Sequence, residues 1–369
     1  MIRVLHVIGA MDRGGAETMI MNFYREINRD DIQFDFLVHE TRECDYDNEI
    51  KKLGGKIFSV PRYKIYNYFS YKKCIKEFFG NHHDYDIVHG HICSCVNIYL
   101  SEAKKYGIKT IAHSHASDFG LSLYTIFTKM VSFKTRYIAD YFFACSLQAG
   151  MDHYGKNIVN SLRFNVLNNG INTRLYLFNK EKREQMRNEL GIDDKIVIGH
   201  VGRFTYAKNH DFIIKIFKEI QKMDNNTVLL LFGRGELEKQ VREQVVREGL
   251  EKSVLFMGVV ENVYDYLNAL DVFLFPSRFE GLGIALIEAQ ASGLPCVINK
   301  TLPKEGVLSE HVYKLSLDES PKRWGTACLE CVGTTDRTEI NSLVENSGFD
   351  ISCETKRLEA IYCRIGEKV

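Results

Sequence analysis

The strongest constraint on how this chain folds is an alternation. From the first residue to about residue 300, short apolar runs are separated by longer stretches with helical periodicity. Runs of this kind are strands buried on both faces, and the helical stretches are the crossovers that parallel pairing demands. The fold class is therefore α/β with doubly wound parallel sheets. In the first half, strands are expected at residues 4–8, 34–38, 56–60, 87–89, 109–113 and 141–145. A helix over residues 17–26 sets Met19, Ile20, Phe23 and Ile27 on one stripe.

The series restarts near Lys195, with a strand at 196–201, an amphipathic helix over 209–223 carrying Phe212, Ile213, Ile216, Phe217 and Ile220, and a strand at 227–232. A chain of 369 residues also exceeds what one core usually serves. Two Rossmann-like domains are expected, 1–175 and 176–351, with the linker in the region 170–195, where Leu167-Asn-Asn-Gly-Ile-Asn172 meets the charged segment 180–189. Beyond Pro303 the periodicity weakens, and helices are expected only around 321–332 and 340–348.

Charge and composition remove several classes. Lys plus Arg equals Asp plus Glu at 48 each, which gives no reason to expect nucleic acid as a partner. No uncharged apolar run approaches the ~18–20 residues needed to span a bilayer, and the first apolar run is too short for a signal peptide. The ten scattered cysteines then read as reduced thiols in the cytoplasm. Cys328 and Cys331 have redox or zinc spacing without a second pair, and His89, His91, Cys93 and Cys95 alternate as if on one strand face. Both groupings are read as core or loop residues.

The segment from Asp271 to Val297 carries the clearest chemistry. A strand ends at Pro276, Glu280 follows in the loop, Gly281, Leu282 and Gly283 open a helix, and Gly293 and Pro295 close it. Amides at such a helix start lack helical acceptors, and the helix dipole adds partial positive charge, so a phosphate suits the position. Glu280 and Glu288 are each a strong acceptor for sugar hydroxyls. Equally, Glu280 caps the helix and Glu288 is a solvated helix residue.

A second cluster follows the strand at 196–201, where Arg203 and Lys208 suit a diphosphate at the C-terminal end of a parallel sheet. The alternative is a solvated basic loop. In the first half, Gly14 and Gly15 join the first strand to the first helix and allow close approach of a ligand, although the loop is neither a Walker P-loop nor a dinucleotide fingerprint. The strand at 109–113 leads to His113 and His115 on alternate positions, suited to a sugar hydroxyl or to burial as structural histidines. Asp45-Tyr-Asp47 and Asp84-Tyr-Asp86 match the D-x-D spacing of a metal-bound sugar-nucleotide site, a match common by chance.

In order, the Gly14-Gly15 loop, His115, Asn169-Gly170, Val201-Gly-Arg203, Lys208 and Glu280 with Glu288 inside Pro276-Ser-Arg-Phe-Glu-Gly-Leu-Gly283 resemble family 4 of the retaining glycosyltransferases. The resemblance covers most of residues 1–300. It implies the GT-B fold, two Rossmann-like domains facing a central cleft, with a last helix, about 352–369, returning to the first domain. It implies transfer of a sugar from a nucleoside diphosphate, usually uridine diphosphate, with retention of configuration. By it, His115 and Glu280 stand at the reacting centre. Arg203, Lys208, Gly14, Gly15, Gly281, Leu282 and Gly283 hold the diphosphate, and Glu288 holds the ribose. No cofactor and no obligatory divalent metal are expected. One departure is Asn172, where the family often has Asp.

The overall pattern is similar to bacterial transferases that build capsular or exopolysaccharide units on a lipid carrier, so the expected partners are a nucleotide sugar and an oligosaccharide or polyprenyl-diphosphate-linked acceptor. Lysines interleaved with aromatics over 62–73 and 121–136 suit an anionic membrane surface, or else bury the aromatics and solvate the lysines. Competing readings are an epimerase or hydrolase of the same fold and a non-catalytic scaffold in a polysaccharide assembly.

Overall fold

The structure is a computed structural model that describes residues 1–115, 133–337 and 348–366. The chain forms two compact units, Met1–Ile171 with Ile351–Val369, and Asn172–Asp350. The division therefore falls between Ile171 and Asn172 and again between Asp350 and Ile351, a few residues from the boundaries read in the sequence.

The first unit contains β1 (Ile2–Ile8), β2 (Ile32–Val38), β3 (Ile57–Ser59), β4 (Ile87–Gly90), β5 (Lys109–Ser114), β6 (Tyr141–Ala144) and β7 (Phe164–Val166). They form one parallel sheet in the order β3-β2-β1-β4-β5-β6-β7. Both faces are covered, which is why the strands are apolar along their length. On one face Val4, Phe34, Phe36, Ile87, Ile111 and Phe143 meet the helices Gly15–Glu26 and Ile351–Gly366. On the other, Leu5, Val7, Val88, Ala112 and Phe142 meet Tyr68–Asn81 and Val96–Lys104. Ile351–Gly366 is amphipathic, and it buries Leu358, Ile361, Tyr362 and Ile365. Its first residue is tied in by the Ile351 N–H, which donates to the Ile171 carbonyl at 2.9 Å.

The second unit contains β8 (Ile196–Val201), β9 (Thr227–Phe232), β10 (Val254–Gly258), β11 (Val272–Phe275), β12 (Cys296–Asn299) and β13 (Val312–Leu315), in the order β10-β9-β8-β11-β12-β13. In both sheets the connections wind one way from the first strand and then the other, so each has a switch point, between β1 and β4 and between β8 and β11. Ligands of open parallel sheets bind beyond the strand ends at such points.

The helix His210–Met223 packs its Ile213, Ile216, Phe217 and Ile220 against Ile198, Leu229 and Leu274. A helix found at Pro321–Glu330 is capped by the Ser320 side chain and starts with proline, both favourable signals. It buries Trp324, Cys328 and, just past its end, Cys331, so the Cys-x-x-Cys pair is core. A Cβ on Gly325 would stand 3.0 Å from Met223 Cε and 3.1 Å from Ile220 Cγ1, so this helix packs closely on His210–Met223. The helix expected at 340–348 falls mostly on residues 338–347, which lie outside the described residues.

Candidate active site

At the switch point of the second unit, the loop after β8 is bonded to the loop after β11. The Arg278 N–H donates to the Ala207 carbonyl at 2.8 Å, and the Asn209 Nδ2 donates to the Pro276 carbonyl at 3.1 Å. Asn209 is left-handed, with φ of 60°, a conformation that asparagine tolerates better than most residues. It ends the turn Tyr206–Lys208 and turns the chain directly into the helix His210–Met223.

Lys208 and Glu280 meet across these loops, with Nζ 2.7 Å from Oε1, and their side chains are 19% and 10% exposed. The ammonium also stands 4.9 Å from the centre of the Phe275 ring. Two residues given separate roles in the sequence reading thus form one ion pair. Arg203 is exposed and forms no ion pair with a described residue. After Glu280 the chain passes through Gly281, Leu282 and Gly283, and the helix proper runs Ile284–Ala291. Gly283 is the N-cap, left-handed with φ of 84°. The amides of Ile284 and Ala285, at the start of the helix, have no helical carbonyl one turn back, which leaves donors at this point.

Glu288 is buried rather than solvated. Its Oε1 accepts from the Tyr176 hydroxyl at 2.7 Å, and Tyr176 comes from the turn Thr173–Tyr176. Burial pushes the Glu288 carboxyl above the ordinary carboxylate range, and the Tyr176 hydrogen bond and the Lys208 charge pull it back down. Tyr176 escapes a sequence search because it lies in an irregular turn with no motif around it.

In the first unit, the loop after β1 leads to the helix Gly15–Glu26, with Gly14 as N-cap. A Cβ at Gly15 would meet nothing within 4 Å, so space is open beside it. His115 stands just past β5 and does not stand alone. β1 pairs with β4 so that His6 is opposite His89, and β4 with β5 so that His89 is opposite Ile111. Alternation then puts His6, His89, His91, His113 and His115 on one face. His6 bonds His91 at 2.9 Å, His91 bonds His115 at 2.8 Å, His89 bonds His113 at 3.1 Å, and His89 bonds the Tyr362 hydroxyl at 2.6 Å. Burial lowers His6 to about 3 and His115 to about 4, and holds His89, His91 and His113 well below the ordinary histidine value.

The sequence reading placed His89 and His91 on one strand face with Cys93 and Cys95. The partners instead come from neighbouring strands, and the recurrence of histidine near three strand ends is the signal that would have found them.

Both D-x-D matches are engaged within the fold. Asp45 accepts from the Arg13 amide and Asp47 from the Cys44 amide, while Asp84 and Asp86 both bind Arg3. Asn169 and Gly170 end the first stretch of the first unit, where a Cβ on Gly170 would stand 3.0 Å from Ile351 Cα. In the stretch 62–73, Ile65, Tyr66 and Phe69 are 62%, 83% and 85% exposed, so these side chains are not core, whereas Tyr71 is buried. Of the stretch 121–136, residues 121–132 lie outside the described residues. No described helix is long and apolar enough to cross a membrane.

Two doubly wound sheets, each with ligand-ready loops at its switch point, are the architecture of GT-B glycosyltransferases. Residues 13–175 match the model of Glycosyltransferase Family 4, and residues 182–323 that of Glycosyl transferases group 1. EpsF of Bacillus subtilis, named as a glycosyltransferase, is 32% identical over 98% of this chain and 96% of its own. The capsular polysaccharide biosynthesis glycosyltransferase CapH of Staphylococcus aureus is 26% identical over 98% of this chain and 99% of its own. The crystal structure of Anabaena HepE in complex with UDP-glucose superposes with a TM-score of 0.80 at 16% identity, covering 99% of this chain and all of that one. The chain belongs to glycosyltransferase family 4.

Proposed function

We propose that this glycosyltransferase moves a sugar from a nucleoside diphosphate sugar, a UDP-sugar, to a glycan or polyprenyl-diphosphate-linked acceptor in the cytoplasm. In this reading anomeric configuration is retained and no divalent metal is obligatory. The observation that carries the reading is the bonded pair of loops after β8 and β11, which gathers Arg203, Lys208, Glu280 and a helix start at one switch point. Cations and oriented amides at such a point suit a diphosphate. The relatives in capsule synthesis and the UDP-glucose held by HepE support the donor and acceptor classes.

In this mechanism the acceptor hydroxyl attacks on the face from which the diphosphate leaves. The bond from the anomeric carbon to the phosphate oxygen breaks, and the bond to the acceptor oxygen forms on the same face. The acceptor proton passes to a phosphate oxygen. Arg203 and Lys208 offset the charge that develops there, and Glu288 accepts from the ribose hydroxyls. Glu280 accepts from hydroxyls of the transferred sugar. The exposed Ile65, Tyr66 and Phe69 beside Lys64 and Lys72 support contact with an anionic membrane surface, where a lipid-linked acceptor resides.

The test is thermal-shift or calorimetric binding of UDP-, GDP- and ADP-sugars with and without EDTA, followed by the anomeric configuration of the product by NMR. A selective UDP-sugar signal that survives EDTA and a retained anomer are expected. No response to any nucleotide sugar, or UDP release independent of any acceptor, overturns the reading.

A further inference from the structure

Five imidazoles crowd one face of β1, β4 and β5 near the strand ends, with His6, His91 and His115 hydrogen-bonded in a file. Among them His91, His113 and His115 each bring a ring nitrogen within 4.8 Å of the other two. The His113 and His115 rings are stacked with their centres 4.1 Å apart, and those of His91 and His115 are 5.0 Å apart. His113 Nε2 and His115 Nδ1 are buried and have no hydrogen-bond partner among the described residues. Buried polar atoms in native proteins are nearly always paired, so two such nitrogens on adjacent rings point to a ligand.

The donor set limits what that ligand is. Burial holds all three rings neutral, the form in which imidazole binds a metal. Nitrogen donors without a carboxylate do not suit magnesium or calcium, which take oxygen; they suit zinc and its neighbours in the transition series. Metal-bound histidines donate their second ring N–H to a fixed partner, and such partners are already in place. His91 Nε2 stands 2.9 Å from His6 Nδ1, and His113 Nδ1 stands 3.1 Å from His89 Nε2, whose other nitrogen bonds the Tyr362 hydroxyl at 2.6 Å.

We propose that His91, His113 and His115 form a binding site for one zinc-class transition-metal ion at the ends of β4 and β5. Ligand nitrogens of tetrahedral zinc stand about 3.3 Å apart, so the rings close in by at most about 1.5 Å to complete it. The 2.8 Å hydrogen bond between His91 and His115 is then exchanged for two metal–nitrogen bonds. His6, His89 and His91 meet the same distance limit, but they are fully buried against Phe34, Phe36 and Tyr362. A divalent charge enclosed there without access to solvent is costly. His115 alone of the five is partly exposed, so an ion in the outer group keeps a fourth position for water or hydroxide, as three-histidine zinc sites do. All of its residues belong to the first unit, and the site is independent of the donor reading built on Lys208 and Glu280.

The test uses the full-length protein purified without a polyhistidine tag and stripped with a chelator. It is titrated with zinc and with cobalt(II), whose visible absorption reports coordination number, and the bound metal is counted by mass spectrometry. One equivalent should bind, with the spectrum of four- or five-coordinate cobalt. His113→Phe and His115→Ala should each weaken binding by more than about a hundredfold, and His6→Phe, which removes the contact behind His91, by about 10–100-fold. His83→Ala, at an exposed histidine outside the cluster, should leave binding unchanged.

The proposal is overturned if the wild-type protein takes up no metal, or if it gives only the six-coordinate cobalt spectrum of surface sites. It is also overturned if uptake survives both His113→Phe and His115→Ala, as it would if His115 served a sugar alone. Thermal unfolding checks that each variant remains folded, and His115→Ala, at the partly exposed position, should unfold as cooperatively as wild type. The metal is read without nucleotide, so a failure of the donor assignment shows separately, as absent nucleotide binding.

Discussion

Replacing Glu280 by glutamine breaks the ion pair with Lys208 while keeping the side chain's shape. At 2.7 Å and an effective dielectric near 20, the gross attraction is about 6 kcal/mol, most of it offset by the cost of withdrawing both charges from water. Removing one partner of a fully buried pair costs about 3–5 kcal/mol. With 10% and 19% exposure a net loss of about 2 kcal/mol is expected, since solvent screens part of the pair. For a unit of this size that lowers Tm by roughly 4–8 °C.

Nucleotide binding should go the other way. A bound diphosphate supplies the charge that Lys208 has lost, so the deficit of Glu280→Gln should shrink in saturating UDP, and UDP should bind it at least as tightly as wild type. Transfer should nevertheless fall, because the acceptor for the sugar hydroxyls is weakened. Lys208→Ala, by contrast, should weaken UDP about tenfold. Differential scanning fluorimetry with and without UDP, together with calorimetry, measures all of these. An unchanged Tm for ligand-free Glu280→Gln, or a UDP affinity that falls as it does in Lys208→Ala, would refute the reasoning.

Other expectations follow from the same geometry. Tyr176→Phe removes a hydrogen bond that holds the Glu288 pKa down, so the group should stay protonated to higher pH and the acid limb of the UDP binding profile should move upward; calorimetry across pH checks this. The sign for stability is separate: a carboxyl whose folded pKa is raised opposes folding as pH climbs past its unfolded value, so Tyr176→Phe should lose more stability at pH 8 than at pH 4. Arg203→Ala should weaken UDP-sugar binding about tenfold while shifting stability by no more than about 0.5 kcal/mol, because the side chain is exposed. Replacing Lys72 and Lys73 by glutamate should abolish binding to anionic vesicles in flotation assays, and unchanged flotation would remove the membrane contact.

The parallel sheets were legible in the sequence because burial on both faces forces continuous apolar runs, a local pattern. That Arg203, Lys208 and Glu280 follow strand ends was legible because loop position relative to strand and helix is also local. The pairing of Lys208 with Glu280 was not, since it depends on β8 and β11 being neighbours although two strands intervene in the chain. His6 was missed for the same reason: in β1 it occupies a core position between Val4 and Ile8, and its meaning lies in the register with β4 and β5. Glu288 was left open between solvent and site because a helix of eight residues that buries most of its length carries no amphipathic stripe to orient it.

The return of Ile351–Gly366 to the first unit sets an order of events during synthesis. When Ile171 leaves the ribosome, the first sheet has all seven strands but not the helix that supplies Leu358, Ile361 and Tyr362 to one of its faces. About 180 further residues must be made before Ile351 emerges, roughly 10–40 s at ordinary elongation rates. For that interval Phe34, Phe143 and the file of histidines are covered only in part, while the second unit is free to fold in full. A nascent chain stalled within the second unit should therefore expose an apolar face on the first, and a chaperone that binds such faces should engage it there until the last helix arrives.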